Sequence, residues 1–113
     1  MQHTISVLVE DHPGVLSRLA SLVSRRGYNV HSLSVGNTAQ EGMSRFTLVV
    51  DGDDAVVDQI VKQINKLVET VEVKDLSKGT FVERWMMLIK VRAPMDVRTH
   101  VLQTAEVFRC RVV

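Results

Sequence analysis

Residues 9 to 16 read Val-Glu-Asp-His-Pro-Gly-Val-Leu. They join an alternating, strand-like stretch to an amphipathic, helix-like one through an acid, a proline and a glycine. The start of a helix leaves about four backbone N–H groups without partners, and those groups together with the helix dipole attract anions. Pro13 has no N–H to lose and suits the first helical turn. Gly14 has no Cβ, so a ligand can approach the backbone closely there. Val15 and Leu16 add N–H groups and apolar surface, and Asp11 adds a carboxylate. One short loop therefore offers donors for a carboxylate, an acceptor for an ammonium and contact for an aliphatic side chain, a set that suits a small amino acid. The same residues also describe an ordinary strand–helix turn in which Asp11 caps the helix. The residues alone leave both readings open.

Other chemistry is hard to find. The chain has no Gly-rich phosphate loop, no paired-cysteine spacing for zinc and no Gly-x-Ser-x-Gly elbow. His3, His12, His31 and His100 are scattered, and no nucleophile–base pair can be named, which argues against an enzyme or a metal site in this chain. The net charge of +1 carries no footprint for nucleic acid or an anionic membrane. The one cysteine, Cys110, cannot build a disulfide framework within one chain and points to a reducing compartment. No signal peptide, transit peptide or membrane span is expected.

The elements that would hold the loop follow from periodicity. His3 to Val9 alternates, with Ile5, Val7 and Val9 on one face and Thr4 and Ser6 on the other, and predicts a half-buried strand. Pro13 to Arg26 predicts a helix whose apolar face is Leu16, Leu19, Ala20 and Val23 and whose C-terminal cap is Gly27. Tyr28 to Val35 predicts a second strand, Gly36 to Gly42 a long hairpin loop and Met43 to Val50 a third strand. Asp51 to Asp54 breaks that strand and starts a helix to Val68, with Val57, Ile60, Val61, Ile64, Leu67 and Val68 as its stripe. Thr70 to Leu76 completes the set as a fourth strand.

The order β-α-β-β-α-β is the split βαβ, ferredoxin-like unit of the α+β class, with two helices on one face of a four-stranded antiparallel sheet. Its second strand should lie at an edge, open to a second chain. Ferredoxin-like sheets that bind RNA stack bases on aromatics of strands one and three, but strand one has none here and strand three only Phe46. We expect this domain to occupy residues 1–77. Residues 78–113 then read as a linker, a strand at Trp85 to Val91, a helix at Pro94 to Phe108 and the beginning of a strand from Arg109, the incomplete βαβ start of a second domain. Such a piece cannot bury its own faces and should be poorly ordered or packed on a neighbour.

The opening strand-loop-helix V-E-D-H-P-G-V-L resembles the ACT domain, a small-molecule-sensing form of this fold. More specific are R-R-G-Y-N-V-H-S-L-S-V-G (25–36), S-R-F-T-L-V-V (44–50), Q-I-N-K-L-V-E-T-V-E-V-K-D-L (63–76) and V-E-R-W-M-M-L-I-K-V (82–91). Together they resemble the regulatory small subunit of acetolactate synthase, also called acetohydroxyacid synthase, from about Thr4 to Val113.

The resemblance implies a non-catalytic subunit without cofactors of its own. It would activate a large catalytic subunit that uses thiamine diphosphate, magnesium and FAD, and make it sensitive to valine or another branched-chain amino acid. It also implies a homodimer of side-by-side ACT domains, in a bacterial cytoplasm or a plastid stroma. The inhibitor would lie between the loop Asp11 to Leu16 of one chain and Asn29, Val30 and His31 of the other. There the N–H groups of Gly14, Val15 and Leu16 would hold its carboxylate, Asp11 and Asn29 its ammonium, and Val15, Leu16 and Val30 would border its isopropyl group. Two positions depart from the family pattern: Asp11 stands where relatives often carry Asn, and Trp85-Met86 where they commonly carry Glu-Leu. A free-standing amino-acid sensor, or an ACT module of a transcriptional regulator, is the alternative.

Overall fold

A computed structural model describes residues 1–113. The residues fall into two compact units, Met1–Val82 and Glu83–Val113.

In the first unit, β1 (Gln2–Glu10), α1 (Val15–Arg25), β2 (Val30–Asn37), β3 (Met43–Asp51), α2 (Asp54–Asn65) and β4 (Thr70–Asp75) follow one another, and a single 3-10 turn (Leu76–Lys78) closes the domain. The strands form one sheet in the order β2-β3-β1-β4, and every neighbouring pair is antiparallel. This is the expected ferredoxin-like arrangement, with β2 at an edge. Ile5, Val7 and Val9 of β1 and Phe46, Leu48 and Val50 of β3 point to the same side, because their positions pair across the ladder and side chains alternate along a strand. They form one core with Val15, Leu19 and Val23 of α1 and Val57, Ile60 and Ile64 of α2.

β1 differs from the expectation of a half-buried strand. Thr4 and Ser6, on its other side, are buried as well. β1 is flanked by strands on both edges, the Arg45 guanidinium reaches across to donate to Ser6 Oγ (2.6 Å), and the Thr4 N–H donates to Ser77 Oγ (2.9 Å). Both buried polar residues thus have partners.

α1 is rotated relative to its expected stripe. Val15, Leu19 and Val23 are buried and Leu22 packs beside them, whereas Ala20 is exposed and Leu16 is 49% exposed. The period of 3.6 residues allows either stripe in a run as apolar as this one, and contact with the sheet chooses between them. α2 ends at Asn65, short of the expected Val68, and Val68 is 95% exposed. Its start follows the sequence: Asp53 is the N-cap, its carboxylate accepting the Val56 N–H at 2.9 Å. β2 begins two residues later than expected and runs into the loop as far as Asn37.

The second unit contains one helix, α3 (Arg98–Val107), shorter than the expected Pro94 to Phe108. Trp85 to Val91 does not form the expected strand, and neither does Arg109 to Val113; both stretches lack sheet partners. Trp85 to Val91 is almost continuously apolar, but a strand exists only as a member of a ladder, and neither stretch has a neighbour to form one. Trp85, Met86 and Leu88 are each more than 70% exposed.

Candidate functional site

The loop after β1 is built as a fixed strap. The Glu10 N–H donates to the Glu69 carbonyl and the Asp11 N–H to the Gly42 carbonyl, both at 2.8 Å. The chain then turns through Gly14, whose φ of +88° lies in the left-handed region that favours glycine, and α1 begins at Val15. Gly14 is the N-cap and no side chain caps the helix, so the capping reading of Asp11 is not realised; its carboxylate is free and exposed. The Val15 N–H donates to the His12 carbonyl at 3.2 Å, which removes one of the three expected anion donors. Its side chain lies in the core rather than on the loop surface. Gly14 and Leu16 are the remaining N–H groups of the expected set, and Leu16 supplies the exposed apolar surface.

One residue here was invisible to loop reading. The helical period puts Arg18 on the face opposite the expected apolar stripe of α1. Its guanidinium instead folds back over Gly14, with Nη1 3.0 Å from where a Gly14 Cβ would stand, and pairs with the Glu69 carboxylate. A hydrogen bond from the Glu69 backbone, assisted by the Arg18 guanidinium, holds the Glu69 carboxyl below its ordinary value. The available signal was the spacing of one helical turn from Gly14 to Arg18. His12 Nε2 lies 3.0 Å from Glu10 Oε2 on the exposed side of the strap.

The second group of candidate residues lies at the other end of the sheet. Glu10 pairs with Met43 at one end of β3, and Val30 pairs with Val50 at the other. Seven residue steps along β3 separate them, roughly 24 Å at a strand's rise. Within one chain, therefore, Asp11, Gly14, Val15 and Leu16 are not brought to Asn29, Val30 and His31. The latter three gather around Asp51, the last residue of β3. His31 Nε2 is 2.6 Å and Asn29 Nδ2 3.5 Å from Asp51 Oδ2, and the Asp51 N–H donates to the Asn29 carbonyl at 3.1 Å. The bond from His31 holds the Asp51 carboxyl below its ordinary value, against the opposing effect of partial desolvation. The sequence showed Asp51 only as a helix-starting acid, since its partners stand twenty or so positions away and arrive through the β2–β3 register.

Three of the four histidines have their own acid: His3 Nδ1 meets Asp75 Oδ2 at 3.1 Å, His12 meets Glu10 and His31 meets Asp51. His3 and His31 stand on strands separated by β3, and no group of three or more His, Cys, Asp or Glu side chains could hold a metal ion. A shallow cleft of about 670 Å³, lined by Leu8, Ser34, Arg45, Thr47 and the turn from Asn37 to Gln40, contains none of the candidate residues.

Comparison with known proteins bears on the family and the fold. Residues 5–72 match the family model described as the AHAS small subunit-like ACT domain, and residues 84–113 match that described as the small subunit of acetolactate synthase. Over 113 residues the chain is 50% identical to a probable acetolactate synthase small subunit of Archaeoglobus fulgidus, covering all of this chain and 70% of that one. Over 111 residues it is 48% identical to an acetolactate synthase small subunit of Mycobacterium avium, covering 98% of this chain and 66% of that one. The chain thus spans about two thirds of the length of these relatives. The crystal structure of an acetolactate synthase small subunit from Thermotoga maritima superposes with a TM-score of 0.79 at 31% identity, covering 100% of this chain and 71% of that one. The ACT domain of a GTP pyrophosphokinase from Chlorobium tepidum shares the fold alone, with a TM-score of 0.58 at 16% identity over 67% of this chain and 97% of that one.

Proposed function

The chain belongs to the acetolactate synthase small-subunit family, and from that premise we propose that it is a regulatory subunit which binds a branched-chain amino acid, valine first among them, between two ACT domains and passes that signal to a catalytic large subunit. Thiamine diphosphate, magnesium and FAD are assigned to the large subunit, where acetolactate would be made.

The observation that carries the reading is the placement of the two half-sites at opposite ends of a sheet whose edge strand is β2. When two β2 strands pair antiparallel about a twofold axis, the Asn29 end of one chain comes alongside the Asp11 end of the other. Each half-site is then completed by the partner, twice per dimer. Leu33 and Val35 on that edge strand are 42% and 47% exposed, apolar surface that pairing would cover. The half-sites are also complementary in chemistry. Gly14 and Leu16 N–H groups and the Arg18 guanidinium favour a carboxylate, Asp11 and the Asn29 amide oxygen favour an ammonium, and Leu16 offers aliphatic contact.

A ligand bound by both chains stabilises the pair over the separated chains, and a large subunit that prefers one state of the dimer reads this as a population shift. The test has two arms. Calorimetric titration of valine into the purified chain is expected to saturate, and to weaken with Asn29→Ala. Mixed with a large subunit, the chain is expected to raise acetolactate output and to make it fall when valine is added. A chain that neither binds valine nor alters that output does not have this role.

A further inference from the structure

Asp51 holds its neighbours in a way that chemistry makes directional. An ionised carboxylate only accepts hydrogen bonds. The Asn29 side chain must therefore turn its NH₂ group toward Asp51 Oδ2 and its carbonyl Oδ1 away, and His31 must carry its proton on the Nε2 that lies 2.6 Å from the same oxygen. The Asp51 N–H also donates to the Asn29 backbone carbonyl at 3.1 Å, so the Asn29 main chain is held beside Asp51 while its amide meets the carboxylate at the long end of hydrogen-bond distance. The second carboxylate oxygen of Asp51 makes no hydrogen bond, and the side chain is 40% exposed. The contact with Asp51 thus turns the Asn29 NH₂ inward to the cluster and leaves Asn29 Oδ1 as the amide's unused acceptor.

We infer that Asp51 is a positioning residue of the amino-acid site: it sets the Asn29 amide so that its oxygen, not its NH₂, faces the ligand, and thereby selects a ligand that carries an ammonium. The inference rests on the regulatory-site reading above and specifies which ligand group this half of the site recognises. With the Asn29 amide reversed, its NH₂ would face an ammonium and repel it. The fold has little need of the cluster, because an exposed ion pair contributes little to stability. Asp51 can therefore be changed without losing the sheet.

The experiment uses the full chain and two ligands, valine and 3-methylbutanoate, which keeps the isopropyl group and the carboxylate but has no ammonium. Both are titrated calorimetrically into the wild type, Asp51→Ala, Asp51→Asn, Asn29→Ala and the Asn29→Ala/Asp51→Ala double variant, with thermal melting to confirm folding. The wild type is expected to prefer valine. Asp51→Ala is expected to weaken valine about tenfold, the scale of one lost hydrogen bond to a charged group, and to leave 3-methylbutanoate nearly unchanged. Asp51→Asn keeps an acceptor oxygen for the Asn29 NH₂ and should recover part of the loss. The double variant should lose no more than the worse single one. If the wild type binds valine and Asp51→Ala binds it equally well, or loses both ligands alike, Asp51 does not position Asn29 and the inference fails alone. If the wild type binds neither ligand, the site reading fails and takes the inference with it.

Discussion

Gly14 and Arg18 share one space: the Arg18 guanidinium occupies the position beside Gly14 where a β-carbon would project, with Nη1 3.0 Å from that point. The glycine is required twice, by its φ of +88° and by the arginine that passes over it on the way to Glu69. Gly14→Ala is expected to lower stability by about 1–3 kcal/mol, the usual cost of a non-glycine residue held in a disfavoured backbone region. It should also push Arg18 from the loop and weaken valine binding. Urea unfolding and calorimetry on one preparation measure both effects; a variant as stable as the wild type would contradict this account of the loop.

The rotation of α1 predicts opposite outcomes for two leucines three positions apart. Leu19 is fully buried, and Leu19→Ala should cost about 2–5 kcal/mol. Leu16 is half-exposed, and Leu16→Ala should stay within about 0.5–1 kcal/mol of the wild type. Chemical denaturation of the pair compares them directly, and equal losses would return Leu16 to the core.

Acid should loosen the domain through Asp51 and Glu69. Both carboxyls lie below their ordinary values in the folded chain, Asp51 through the bond from His31 and Glu69 through its backbone bond and Arg18. A carboxyl lowered by folding binds its proton more readily when unfolded. Its stabilisation is therefore complete above the unfolded values, about 3.9 for Asp and 4.3 for Glu, and is lost as pH falls through the lower folded values. Melting temperatures measured from pH 6 to pH 2.5 should fall in that window, and Asp51→Asn and Glu69→Gln should each flatten the fall. An unchanged slope in both variants would remove these two groups from the acid response.

The edge strand supplies a test of assembly. Leu33→Asp places a charge on the exposed apolar face of β2 while leaving the core untouched. The far-ultraviolet circular dichroism should match the wild type, and size-exclusion chromatography with light scattering should show the proposed β2-paired dimer for the wild type and a monomer for the variant. A variant that elutes with the wild-type mass would place the interface elsewhere.

The N-cap of α2 predicts a smaller effect. Asp53 Oδ1 accepts the Val56 N–H at 2.9 Å, and Asp53→Ala should cost about 1 kcal/mol. Asp53→Asn keeps the acceptor and should retain most of that stability in the same denaturation experiment.

Much of this protein was legible from its residues. Element order followed from period-two and period-3.6 apolar patterns, the α2 start from an acid at the right place, and the sheet topology from the βαββαβ order, because local spacing alone decides these. Gly14 and the loop stood out for the same reason. Three features were not legible. Which of Val15 and Leu16 faces inward depends on where the sheet lies beneath α1, since the sequence pattern admits both. Trp85 to Val91 has the composition of a strand, but strandhood depends on a partner in space. Arg18 and Asp51 looked like solvent-facing and helix-starting charges. Only tertiary structure carried Arg18 onto Gly14 and Glu69, and only the β2–β3 register set Asp51 against Asn29 and His31. Sequence by itself determined the fold and the loop, because both are written in nearest-neighbour chemistry. The charged groups that complete each half-site depended on contacts between residues four to fifty positions apart, which exist only once the sheet has formed.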